Sequence, residues 1–232
     1  MRRLAFIISL LMGLQPAYAG AAGNPVVIEL FTSQGCSSCP PADALLKEIG
    51  AADDVIALSW HVDYWDYIGW KDVFAKPEYT TRQKYYAHAM QEKMIYTPQM
   101  VFNGVTHEIG SDRDRVTGRL DALRKDASIV DLEAVRDGDV LRISAQNADT
   151  KSRKIDVYVI HYIEKSMVEI TRGENAGLTS TYSNIVSDWR TVGQWNGRGK
   201  FNLDVPLTSD LPIVVLLQAD GFGQILGARK VK

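Results

Sequence analysis

The chain has 232 residues, 46% hydrophobic and 23% charged, with 26 lysines and arginines against 28 aspartates and glutamates and a formal charge of −2. That is a globular composition with apolar mass for one large core or two small ones. It lacks the clustered basic face that nucleic-acid binding calls for, and its two cysteines cannot fill a closed structural zinc site, which takes four ligands.

At the N-terminus, Arg2-Arg3, an apolar run over 4–14 and then Ala17-Tyr18-Ala19 make a charged region, a hydrophobic region and an A-x-A cleavage site. Residues 1–19 are expected to be a signal peptide cut after Ala19. The run is shorter than the about 20 residues that span a bilayer, so no stable membrane anchor is expected after cleavage. The expected location is secreted, in the periplasm.

Next, 26–31 is a short β-branched run between Pro25 and Gly35, the pattern of a buried strand. Pro40–Ile49 has helical spacing at Ala42, Leu45, Leu46 and Ile49, and Pro40 and Pro41 suit a first turn, where the missing N–H costs nothing. A second buried strand is expected at 55–60 and a second helix at 77–93. Thr97-Pro98 opens a strand ending at Asn103-Gly104, a hairpin-turn pair, with 105–109 as its return. Ser111 or Asp112 can cap a helix ending near Lys125. This β-α-β-α-β-β-α order resembles a minimal thioredoxin fold, expected over 24–127. Beyond it, eight short strands are expected at 130–136, 140–145, 155–163, 167–172, 182–192, 200–205, 213–218 and 224–230, separated by turn residues such as Asp137-Gly138 and Asn196-Gly197. They predict an all-β, sandwich-like domain over 128–232.

The residues that carry chemistry are Cys36-Ser37-Ser38-Cys39, between the first strand and the first helix. A helix N-terminus bears roughly half a positive charge and free N–H groups, and so stabilises a thiolate, the species that attacks disulfides. A ring this short is a weak staple, about 2 kcal/mol against about 3 kcal/mol for a 15-residue loop. Three readings remain open: a redox pair, an inert disulfide, and a copper or zinc site that adds His61. In the redox reading Cys36 lies nearer the solvent and is the nucleophile, and Cys39, one turn in, resolves the mixed disulfide. The Ser37 and Ser38 hydroxyls and the helix favour the thiolate, but the dipeptide holds no basic residue. The pair is therefore expected to be a milder reagent than the most oxidising ones, near about −120 mV.

Five of the eleven residues over 60–70 are aromatic. Following a strand's carboxyl end, where ligand sites gather, they suit either a substrate lip containing Trp65 or an aromatic plug between domains. The Arg172-Gly173-Glu174-Asn175 turn is either solvated or reaches across to the cysteines.

The stretch Val27-Ile28-Glu29-Leu30-Phe31-Thr32-Ser33-Gln34-Gly35-Cys36-Ser37-Ser38-Cys39-Pro40-Pro41-Ala42-Asp43 resembles a family of secreted, thioredoxin-like bacterial proteins catalogued as a domain of unknown function. Three further stretches are similar: residues 62–70, Tyr96-Thr97-Pro98-Gln99 and Arg172-Gly173-Glu174-Asn175. The resemblance implies a thioredoxin-like fold and export, and supplies no substrate. Likeness to thioredoxin implies that Pro98 is cis beside the cysteines, that the Thr97 backbone can pair with an extended substrate, and that Glu29 moves protons for the buried cysteine. Gly35 stands where thioredoxin has tryptophan. The function expected is an exported thiol–disulfide oxidoreductase working on a protein thiol or disulfide with an electron-transfer partner. It has no cofactor beyond the redox-active disulfide and no metal. A copper or zinc handling protein and a non-catalytic binding module with a structural disulfide are the alternatives.

Overall fold

The computed structural model describes residues 24–126, 130–146, 148, 150–151 and 154–231. The expected signal peptide lies outside them. Strands β1 (Val26–Thr32), β2 (Val55–His61), β3 (Gln99–Phe102) and β4 (Thr106–Ile109) alternate with helices α1 (Pro40–Ile49), α2 (Pro77–Ala89) and α3 (Arg113–Leu123) in the order expected for the N-terminal half. The two prolines do open α1, with Cys39 at its N-cap, and the Asp112 side chain caps α3 by accepting from the Arg115 N–H. Helix α2 stops at Ala89, four residues before the expected end; Met90 leaves the helix and Gln91 turns with φ +60°.

The C-terminal half contributes β5 (Asp131–Asp137), β6 (Val140–Gln146), β7 (Ile155–Glu169), β8 (Thr179–Trp195), β9 (Phe201–Pro206), β10 (Ile213–Ala219) and β11 (Ile225–Val231). The runs expected at 155–163 and 167–172 form one long strand, because β7 stays paired with β8 from Ile155 to Glu169 across two register shifts.

One eight-stranded mixed sheet runs β11-β10-β7-β8-β2-β1-β3-β4, and a three-stranded antiparallel sheet runs β5-β6-β9. The expected boundary at 127/128 is therefore not a break in the sheet. Strand β8 joins β2 in parallel at Ser59 and Ile185, and four strands of the C-terminal half extend the N-terminal sheet. The sandwich-like part is real but shared: the small sheet packs on β7, β10 and β11 of the large one through Leu132, Ile143, Val157, Val215 and Leu217.

Strand side chains alternate between faces, and this parity divides the core. On one face Val27, Phe31, Leu58, Trp60, Val214 and Leu216 pack with Tyr79 and Tyr86 of α2. On the other, Ile28, Leu30, Val55 and Ala57 pack with Leu45 and Leu46 of α1 and Leu120 of α3. Helix α2 thus covers one face, while α1, α3 and the small sheet share the other. At about 25 cal/mol per Å² of apolar surface removed from water, these three clusters dominate the stability.

Candidate active site around Cys36 and Cys39

Cys36 and Cys39 form a disulfide at the carboxyl end of β1. The Cys39 carbonyl accepts the Ala42 and Asp43 N–H groups, so the second sulfur is built into the start of α1. Ser37 and Ser38 are exposed, and the Ser38 hydroxyl lies 3.4 Å from Cys36 Sγ. Cys36 differs from expectation: it is 0% exposed, like Cys39.

Two segments cover it. A Cβ on Gly35 would lie 3.1 Å from the Trp65 Cβ and 3.2 Å from Ile68, so the backbone at Gly35 packs tightly against the segment that follows β2. The second cover is the turn joining β7 and β8. The Asn175 amide is buried and donates to both the Gln34 and Cys36 carbonyls, at 2.9 Å each. The 172–175 turn does reach the cysteine loop.

Gln34 ties the two covers together. Its side-chain oxygen accepts from Trp70 Nε1 at 2.8 Å, and its N–H donates to Asp72 at 2.8 Å. Trp65 donates to the Thr97 hydroxyl at 2.7 Å, which links the aromatic segment to the Thr97–Pro98 peptide, a cis bond. The β1–β3 register, with Phe31 opposite Gln99, sets Pro98 at the level of Thr32, where the cysteine loop departs.

Glu29 is placed away from the cysteines' helix. It shares the parity of Val27 and Phe31, the α2 face, and is fully buried. Its carboxylate accepts from Arg82 Nε at 2.8 Å and Nη2 at 3.1 Å, and from the Tyr86 hydroxyl. Gln218 donates to the same hydroxyl at 3.0 Å.

The α1 face holds a second polar group, most of which sequence reasoning missed. Thr32 shares the parity of Ile28 and Leu30, and Ser59 and His61 share that of Val55 and Ala57. All three project under α1 at the carboxyl ends of their strands, and the register pairs Thr32 with His61. Above them, Asp43 is buried on α1. His61 Nδ1 lies 2.7 Å from Asp72 Oδ2, with both side chains fully buried. Phe74 and Tyr182 pack edge-on against the imidazole at centroid distances of 5.2 and 4.9 Å. Burial pushes the Asp43 carboxyl up to about 7, against opposing pulls from His61 and the nearby Thr32 hydroxyl, while the Asp72 charge adds to the rise. Burial, with the charges of Asp43 and Asp72, also holds the Tyr182 phenol well above its usual range. Four buried polar atoms here have no hydrogen-bond partner: Thr32 Oγ1, Asp43 Oδ1, Ser59 Oγ and His61 Nε2. The available signal was the polar pair Ser59 and His61 at alternate positions of a strand otherwise apolar on both faces. Among the described residues, no group of three or more His, Cys, Asp or Glu side chains is arranged to hold a metal ion.

A family model described as "Protein of unknown function (DUF1223)" matches residues 27–218. No curated protein matches. Among solved structures, protein AGR_C_4864 from Agrobacterium tumefaciens is 33% identical, covering 90% of this chain and 95% of its own, with a TM-score of 0.78. HBP35 of Porphyromonas gingivalis, 14% identical, covers 91% of this chain and 76% of its own with a TM-score of 0.66, a likeness of fold alone.

Proposed function

We propose, for a chain that belongs to the family described as protein of unknown function (DUF1223), an exported, thioredoxin-like thiol–disulfide oxidoreductase that acts on protein thiols through Cys36 and Cys39. The observation that carries this reading is the disulfide at the N-terminus of α1, with Cys39 as the N-cap and the Thr97–Pro98 peptide at the level of the cysteine loop. The helix end favours whichever sulfur becomes a thiolate. The sheet order β2-β1-β3-β4 and the helix order add support for the thioredoxin-like part. The apolar 4–14 run and Ala17-Tyr18-Ala19 support export, and the periplasm is the compartment in which such a pair works.

In this reading a substrate thiolate attacks Cys36 Sγ. The Cys36–Cys39 bond breaks, a mixed disulfide forms at Cys36, and Cys39 departs with the electron pair. Because Cys36 is covered, the Asn175 turn and the segment bearing Trp65 must shift to admit an extended polypeptide beside Thr97.

Complete burial of both sulfurs favours a second reading, an inert disulfide that fixes the loop of a binding module. One measurement separates the two. The folded protein is equilibrated in glutathione buffers of graded potential, and Cys39→Ser is mixed with an oxidised model polypeptide. Exchange predicts reversible opening of the disulfide and a trapped mixed disulfide on Cys36, absent from the Cys36→Ser, Cys39→Ser double variant. A disulfide that stays closed until the protein unfolds overturns the exchange reading.

A further inference from the structure

We infer that Asp43, backed by the His61–Asp72 pair, is the proton donor and acceptor for Cys39 in thiol–disulfide exchange. The inference rests on the exchange reading above and assigns to the α1 face the role that position in the chain suggested for Glu29.

The placement comes first. Asp43 follows Cys39 by four residues, and its N–H donates to the Cys39 carbonyl at 3.1 Å. Residues spaced i and i+4 share a helix face, and a helical side chain leans toward the N-terminus. Asp43 therefore shares the helix face that Cys39 begins. That face is inside the protein, since Asp43 is 8% exposed and Cys39 0%.

The partners come second. The Asp43 Oδ1 atom has no hydrogen-bond partner, nor has His61 Nε2. The other nitrogen of the imidazole is fixed by Asp72, and Asp72 is itself fixed by the Gln34 N–H beside the cysteines. Asp72 thereby orients the ring and leaves Nε2 as the nitrogen without a partner. The groups around Asp43 are Thr32 from β1, His61 from β2, Asp72 from the segment after β2 and Tyr182 from β8. No lysine or arginine is among them, and burial outweighs the pull of His61. Glu29 is the opposite case, because it is paired with Arg82.

The step balances as follows. A substrate thiolate forms a bond to Cys36 Sγ, and the electron pair of the broken Cys36–Cys39 bond leaves on Cys39. The neutral Asp43 carboxyl gives its proton to that sulfur and becomes a carboxylate facing His61. In the reverse step Cys39 returns the proton to Asp43 as it attacks the mixed disulfide, and the substrate thiolate departs. A group that titrates near 7 is suited to both directions.

The test uses the full chain and dithiothreitol. The rate of opening of the Cys36–Cys39 disulfide is divided by the thiolate fraction of the reagent and followed across neutral pH. In the unaltered protein the corrected rate is level on the acid side and falls as pH rises through about 7. There Asp43 loses the proton it would give and sets a negative charge against the departing sulfur. Asp43→Asn abolishes the bend and is about a hundredfold slower on the acid side, at the low end for loss of an acid catalyst. His61→Gln keeps the bend but moves it to higher pH, because His61 opposes the upward push of burial on Asp43. Identical profiles for Asp43→Asn and the unaltered protein overturn the relay and leave exchange standing. A disulfide that dithiothreitol cannot open in the folded protein overturns both. If Asp43→Asn does not fold, an unmoved bend in His61→Gln overturns the relay by itself.

Discussion

Two buried charged groups lie on opposite faces of the same two strands, and they follow opposite rules. On the α2 side, both Glu29 carboxylate oxygens are engaged by Arg82 and Tyr86, and Arg82, whose Nη1 has no hydrogen-bond partner, is enclosed by rings. The guanidinium sits 4.8 Å from the Trp60 and Trp189 rings, 5.1 Å from Tyr86, 5.3 Å from Phe222 and 5.6 Å from Tyr158. Burial works to lower the Arg82 pKa, but the Glu29 carboxylate and Tyr86 more than offset it, and Arg82 stays charged. These residues come from β1, β2, α2, β7, β8 and the β10–β11 turn, so the pair fastens the two halves of the chain together. On the α1 side, Asp43 Oδ1 and His61 Nε2 have no hydrogen-bond partner, and no arginine or lysine hydrogen-bonds the Asp43 carboxyl. One cluster fixes charge and holds structure; the other leaves charge free to change beside a disulfide. Location under a redox motif is thus a poor guide to role, and the partners a carboxylate has are a better one.

The largest expected effect comes from breaking the Glu29–Arg82 pair. Arg82→Met strands the Glu29 carboxylate in the core and should cost about 3–5 kcal/mol in denaturant unfolding, with no change in the pH profile of disulfide opening. A shifted profile would mean that the two clusters are coupled.

The Asp43 cluster should respond with the opposite sign. A carboxyl raised from 3.8 to about 7 binds its proton more tightly when folded. The unfolded chain holds fewer protons between those values, so stability falls as pH rises through that window and stays low above it. Asp43→Asn should remove this fall and stabilise the protein above the window by on the order of 3 kcal/mol. Urea midpoints of the two proteins at acid and alkaline pH check it, and equal differences at both would refute the raised carboxyl.

Smaller effects test the cover. Asn175→Ala removes two hydrogen bonds to the cysteine loop and should cost about 1–2 kcal/mol while speeding attack on Cys36 by dithiothreitol. Slower or unchanged attack would remove Asn175 as a barrier. Trp65→Phe keeps the Cβ beside Gly35 and an aromatic ring, and deletes the bond to Thr97. It should cost about 1 kcal/mol, and a loss of exchange beyond that would make Trp65 part of substrate binding rather than packing.

Much of the N-terminal half was legible in the sequence because its signals are local. Proline at the first turn of α1, Asp112 as a cap and Asn103-Gly104 as a turn each act within a few residues. The strands of the C-terminal half were legible as strands, but their membership of the large sheet was not. It depends on Ser59 meeting Ile185, residues 126 positions apart in the chain. The same holds at the site. The cysteines and Thr97–Pro98 announce themselves by motif, whereas the burial of Cys36 depends on Asn175, a residue of the opposite half. The face on which Glu29 lies follows from strand parity, and Val27 and Phe31, its apolar neighbours on that face, carry the same signal in the sequence.

The β7–β8 hairpin is also a connector. Strand β7 leaves β10 after His161, and from Ile163 to Glu169 it is paired only with β8. At about 3.3 Å per residue the two-stranded arm projects some 20 Å, with Met167 and Leu178 exposed along it and Asn175 at its tip. Its base is rooted in the sheet and its tip is hydrogen-bonded to the Cys36 carbonyl. Tyr182 of the same arm packs on His61 and Phe74, so the arm joins the cysteine loop to the α1 face and to the sheet as one mechanical unit.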